Sequence, residues 1–123
     1  MKLIGLALGG ALGTLSRYWL SGVIHESASP GFPYGTLAVN ALGCFLAGFL
    51  ATVGQATGQM PPEARLLFSV GFCGAFTTFS TLILETGLLY KGGQLWHAVL
   101  NIALSVLAGA LALVLGAWIG KQL

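Results

Sequence analysis

The sequence predicts an all-α membrane protein with four transmembrane helices per subunit, the third broken at its centre. Three observations carry that reading. Of the 123 residues, 56% are hydrophobic and 7% are charged, against about 25% charged in an ordinary soluble domain. Four apolar stretches reach the roughly 20 residues that a bilayer-spanning helix needs. They fall at about 3–24, 34–53, 66–89 and 96–119. The turn-forming segments HESASPGFP, GQATGQMPPEAR and YKGGQ separate them, and each is rich in helix breakers. These connections leave no room for a soluble domain, so residues 1–123 read as one four-span unit. The result is a multi-pass protein of the cell membrane.

The first span, Leu3 to Ile24, is too long for a signal peptide, and three further spans follow it. Gly5, Gly9 and Gly13 recur every fourth residue along one of its faces. Small residues at that spacing let helix backbones approach closely in lipid. The second span, Tyr34 to Val53, holds Asn40, with Thr36 one turn earlier on the same face. An unpaired amide in hydrocarbon costs several kcal/mol, so Asn40 faces either a partner helix or an aqueous cavity. The fourth span, Trp96 to Ile119, repeats the pattern with Asn101, Ser105 and Gly109. It also carries a small-residue face of Ala112, Gly116 and Gly120. Both small-residue faces serve packing, within a subunit or between subunits. Cys44 and Cys73 sit inside apolar spans and read as reduced, buried small hydrophobes.

The third span, Leu66 to Leu89, places GFCGAFTTFST near its middle. Gly71 and Gly74 weaken a helix by about 1 kcal/mol each relative to Ala. Thr77, Thr78 and Thr81 are β-branched and lower helix propensity further. Ser80 adds a hydroxyl that competes for backbone groups. The stretch permits local unwinding around Gly74–Ser80, or a simple kink. Unwound backbone at membrane depth is tolerated only where protein buries it or water reaches it, and its carbonyls can ligate cations. Phe79 lies within this stretch. An aromatic ring has a positive edge, so Phe79 is either core packing or a ring edge offered to a small anion.

The basic residues barely bias the orientation. Lys2, Arg65 and Lys121 fall on one side, and Lys91 with Arg17 on the other. The rule that cytoplasmic loops carry the excess of Lys and Arg therefore gives almost no preference. Insertion in both orientations, followed by antiparallel pairing about an axis in the membrane plane, is one reading of that balance. It would bring the centres of two third spans together, with room for a small cation such as Na⁺ among carbonyl oxygens. No Asp or Glu lies near the middle of any span, which disfavours a proton-coupled pump. The scattered charge gives no nucleic-acid footprint. No nucleophile–base pair, metal-ligand cluster or phosphate loop suggests an enzyme.

Three fragments together carry a resemblance. GGALGTLSR, GTLAVNALG and GFCGAFTTFSTLILE occur in this order in a four-span chain, and they are similar to elements of the Fluc family of fluoride channels (CrcB-like proteins). The resemblance covers essentially the whole chain. It implies an antiparallel, dual-topology homodimer in the lipid bilayer. Such a dimer would have two fluoride pores and a structural Na⁺ at its centre that is not transported. By position, the family's sodium-binding carbonyls fall on Gly74 and Thr77. Its pore residues fall on Asn40, Phe79 and Ser105, with Thr36, Thr78 and Ser80 as further polar positions. Arg17 matches an arginine of the first span, expected to be structural or electrostatic at a vestibule. The chain departs from the pattern at Leu82, where a second Phe is usual, and at Asn101, which is often aromatic. At Gly109 a small polar residue is usual. Two readings compete with a passive fluoride channel. One is a proton-coupled exporter of the small multidrug-resistance type, which needs a first-span Glu that is absent here. The other is a non-conducting membrane subunit.

Overall fold

The computed structural model describes residues 1–58 and 60–123; Gln59, in the second connection, lies outside the described residues. Among the described residues the secondary structure is entirely helical. α1 runs Lys2–Ser27 and α2 Tyr34–Thr57. The short α3 (Pro62–Arg65) leads into a π-helical segment, Leu66–Cys73, and then α4 (Gly74–Phe76). α5 spans Phe79–Lys91 and α6 Leu95–Gly120. Three stretches are long and apolar enough to cross a membrane: Tyr34–Gln55, Pro62–Lys91 and Leu95–Gly120. α1 has 26 residues and equals α6 in length, but Arg17, Ser16, Thr14 and its glycines dilute its apolar content.

The connections follow local chemistry. Pro33 precedes α2 and Pro62 occupies its first turn in α3, where a missing N–H costs nothing. α2 ends at Gly58 in the left-handed conformation (φ 57°), the usual helix stop. Gly93 (φ 77°) makes the tight turn from α5 to α6.

Packing explains the small-residue faces. At Gly9 an added Cβ would run into the Leu67 carbonyl, and at Gly13 into the Phe72 carbonyl. That face of α1 is therefore used against the π segment and α4 of its own chain. Gly5 meets nothing closer than the Glu63 carbonyl at 3.9 Å, so the close approach begins at Gly9. α2 and α6 interlock in the same way: Gly48 lies on the Leu113 backbone, and Gly116 on that of Phe45.

The fully buried side chains are few. Val39 and Asn101 have no exposure, and Phe76 has 2%. Large apolar residues such as Leu3, Leu15, Leu111, Val114 and Trp96 are exposed. The accessible surface is 7776 Å², whereas a compact soluble monomer of 12.7 kDa would expose about 6,200 Å². Many large apolar side chains lie on that surface, as lipid contact requires, and the subunit by itself encloses little interior.

Candidate functional site

The site is built where the helix stops between α4 and α5. Thr77 (φ −86°, ψ 155°) and Thr78 (φ −150°, ψ 113°) are extended. Of the Gly74–Ser80 stretch singled out by composition, only these two residues leave the helix; Gly74 belongs to α4, and Phe79 and Ser80 to α5. Thr78 starts α5 as its N-cap. Its hydroxyl accepts from the Thr81 N–H at 3.3 Å and donates to the Thr81 hydroxyl at 2.9 Å. That is the usual reward for a Thr at this position.

Two side chains from distant elements take the backbone groups that the break frees. Asn40 on α2 grips Thr78 from both sides: its Oδ1 accepts from the Thr78 N–H at 2.7 Å, and its Nδ2 donates to the Thr78 carbonyl at 3.0 Å. Arg17 on α1 donates through Nε to the Ala75 carbonyl at 3.1 Å. Gly43 makes the approach of α2 possible, because a Cβ there would collide with the Thr77 methyl.

Two carbonyls are left without their usual donors. In a continuous helix the Gly74 carbonyl would bond the Thr78 N–H, and the Thr77 carbonyl the Thr81 N–H. The first N–H goes instead to Asn40 and the second to the Thr78 hydroxyl. Gly74 and Thr77 thus lose their helical donors to side chains. Both residues line a cleft of about 470 Å³. Asn40, Thr78, Phe79 and Ser105 line the same cleft.

The structure brings most of the sequence-derived candidates to this one place but gives them different freedom. An asparagine amide has two N–H donors, and Asn40 spends one on Thr78. Ser105 is 9% exposed, and its hydroxyl has no partner among the described residues. Phe79 is 75% exposed, a high value for a ring beside polar groups. Ser80 is exposed with its Oγ 3.4 Å from the Thr78 hydroxyl and lines neither of the two larger cavities. Thr36 and Arg17 line a separate cavity of about 650 Å³ at the opposite end of α2's polar face, together with Glu85, His25 and Ser21. There the Thr36 hydroxyl donates to Glu85 Oε1 at 2.7 Å.

Some residues of this region escape sequence reasoning. Glu85 accepts from Thr36, which lies 49 positions away, so no local spacing reveals the pair. Asn101 is wholly buried, and its Nδ2 donates to the Thr86 hydroxyl at 3.0 Å. Thr86 in turn donates to the Leu82 carbonyl at 2.8 Å, a back-bond typical of helical Thr. Leu82 itself is 6% exposed and lines the cleft, whereas Phe79, three residues before it, points outward.

Comparison with known proteins gives concordant matches. Residues 4–117 match the family described as "CrcB-like protein, Camphor Resistance (CrcB)". A protein of Desulforapulum autotrophicum named "Fluoride-specific ion channel FluC" is 45% identical over 120 residues, covering 98% of this chain and 96% of the relative. A Dehalococcoides mccartyi protein of the same name is 43% identical over 122 residues, covering 99% and 94%. One from Acidobacterium capsulatum is 45% identical over 123 residues, covering 100% and 98%.

Proposed function

This chain belongs to the CrcB-like protein family, and from that membership we propose that it is a passive, fluoride-selective channel exporting fluoride across a cell membrane. It is a multi-pass membrane protein and not an enzyme. The observation that carries the mechanism is the cleft at Thr77–Thr78, where hydrogen-bond donors and an outward-facing ring converge. Fluoride is small and strongly hydrated, so conduction requires donors that replace its water. Two of the candidates in the cleft have donors to give: the second Nδ2 proton of Asn40 and the Ser105 hydroxyl; the Ser80 hydroxyl turns to the Thr78 oxygen at 3.4 Å and lies outside the cleft lining. The positive edge of Phe79 adds a third kind of contact. Thr36 and Thr78 already spend their protons on Glu85 and Thr81, so they act by fixing the path's walls. Arg17 acts likewise, by holding the Ala75 carbonyl.

The lone subunit is half of the working unit in this reading. All four helices cross the bilayer, α1 shielded on its glycine face by the π segment. Two oppositely inserted copies pair so that the breaks of both third spans meet. The near balance of basic residues and the exposure of Phe79 favour this arrangement. The Gly74 and Thr77 carbonyls of each copy, stripped of their helical donors, fit a hard monovalent cation such as Na⁺. A cation held there supplies positive potential beside the anion path. Conduction then needs no fuel. An inside-negative potential supplies about 2.3 kcal/mol per charge per 100 mV and drives fluoride outward.

Fluoride-electrode recording of efflux from proteoliposomes tests the function: fluoride leaves rapidly and chloride does not, whereas equal release of both ions refutes selectivity. Rigorous replacement of Na⁺ by a bulky organic cation is expected to stop the flux, and unchanged flux would remove the cation from the account. A C-terminal reporter is expected on both sides of the membrane, and one-sided labelling would exclude dual topology.

A further inference from the structure

The cleft at the break does not end there. It shares Ala47 and Ser69 with a second cavity of about 220 Å³ that opens between the end of α2 and the start of the third span. Gln55 and Arg65 line that outer cavity. Arg65, Ser69, Cys73 and Thr77 follow one another at intervals of four, and all four line the joined groove. The π segment Leu66–Cys73 explains how they stay in line. A four-residue step overshoots a full α-helical turn by about 40°. The wider i→i+5 winding of a π segment turns less per residue, which offsets that drift. The opposite wall, on α2, runs from Asn40 at the break through the small Ala47 and Ala51 to Gln55.

Charge distinguishes this groove from the larger cavity on the other side. Among the described residues lining the groove, Arg65 is the one that carries a full charge, and no carboxylate lines it. The larger cavity, by contrast, is lined by both Arg17 and the carboxylate Glu85. A guanidinium is always protonated, and a cleft of one sign with low-dielectric walls focuses its field and concentrates counter-ions. We propose that Arg65, with Gln55 lining the same cavity, forms an outer anion site. This site gathers fluoride at the mouth of the groove and passes it along Ser69 toward Asn40 and the break. The inference rests on the fluoride-channel reading and assigns Arg65 a positioning role, remote from the break itself.

The test is macroscopic fluoride current in planar bilayers, measured from low to saturating fluoride for the native protein, Arg65→Gln and Arg65→Lys. Arg65→Gln is expected to lower the current about threefold or more at low fluoride and low ionic strength, at the weak end of electrostatic focusing. The gap is expected to close at saturating fluoride, and Arg65→Lys to retain most of the native current. Adding inert salt to about 1 M, where the Debye length is about 3 Å, should bring the native current at low fluoride down toward that of Arg65→Gln. Superimposable concentration curves for native and Arg65→Gln would overturn the proposal. So would a reduction by the same factor at every fluoride concentration, which marks a purely structural role. If Arg65→Gln does not assemble, the native protein still decides: a current at low fluoride that ignores ionic strength refutes the site. Loss of the Arg65 effect in a protein that conducts fluoride leaves the channel reading standing. A native protein that conducts none overturns both.

Discussion

Replacing Asn40 by Asp alters only one group of the side chain, yet it turns one of the two bonds that stabilise the break into a repulsion. In the native chain Asn40 accepts from the Thr78 N–H at 2.7 Å and donates to the Thr78 carbonyl at 3.0 Å. A carboxylate keeps the first bond and loses the second, and it sets a negative oxygen against the Thr78 carbonyl. An orphaned buried polar group costs about 1–3 kcal/mol. Asn40 is half-buried, so the lower part of that range applies, with a similar amount for the repulsion. The sum is about 2–3 kcal/mol of lost stability. Asn40→Ala removes both partners and orphans both Thr78 groups, for a loss of similar size without the repulsion. For conduction the two variants part. Asn40→Asp also withdraws the spare N–H donor and places negative charge beside the anion, so fluoride efflux is expected to vanish even in the protein that remains folded. The assay pairs chemical denaturation in detergent with fluoride efflux normalised to correctly assembled protein. Native stability together with native efflux in Asn40→Asp would refute the argument, because it would mean that neither the Thr78 bonds nor the spare donor matters.

Other substitutions probe the same accounting. Thr78→Val removes the N-cap of α5 and is expected to cost about 1 kcal/mol, with Thr78→Ser close to native; equal stability of all three in a denaturation series would contradict the capping role. Asn101→Leu should be neutral or slightly stabilising in the same measurement. It removes a buried Oδ1 without a partner among the described residues, while the Thr86 hydroxyl keeps its bond to Leu82; a loss above about 2 kcal/mol would show that the amide has a partner elsewhere. Leu82→Phe restores a ring at a buried position of the cleft wall. The native protein is expected to conduct fluoride without it, given the donors at Asn40 and Ser105. A silent native protein that Leu82→Phe switches on would refute that sufficiency and indicate a partner chain that supplies the ring.

Much of the architecture is legible in the sequence because it depends on local composition. Apolar length locates the helices to within a few residues: the stretch at 66–89, for instance, lies within the helical run from Pro62 to Lys91. The Gly and Thr content of GFCGAFTTFST marks the region where Thr77 and Thr78 become extended. What the sequence leaves open depends on contacts between distant positions. Asn40 is 38 residues from Thr78, and Arg17 is 58 from Ala75. No spacing rule reveals that these two side chains satisfy one break. The Gly9–Gly13 face was open to packing within or between subunits, and its contacts with the Leu67 and Phe72 carbonyls decide for its own chain. The π winding of Leu66–Cys73 is also invisible to composition. That segment packs on the glycine face of α1, and Arg65, Ser69, Cys73 and Thr77 line the joined groove along it. Asn101 and Leu82 read as departures from a family pattern; the structure links them through Thr86, whose hydroxyl accepts from Asn101 Nδ2 and donates to the Leu82 backbone carbonyl.

The central claim, passive and selective fluoride conduction by this chain alone, is tested most directly by the reversal potential of the purified protein in a planar bilayer under opposed fluoride and chloride gradients. A passive fluoride channel predicts a reversal potential that follows the fluoride gradient at about 59 mV per tenfold ratio, indifferent to chloride and to a superimposed pH gradient. A potential that moves with the pH gradient would mark proton-coupled exchange, and one that follows chloride would mark an unselective pore; either result contradicts the account.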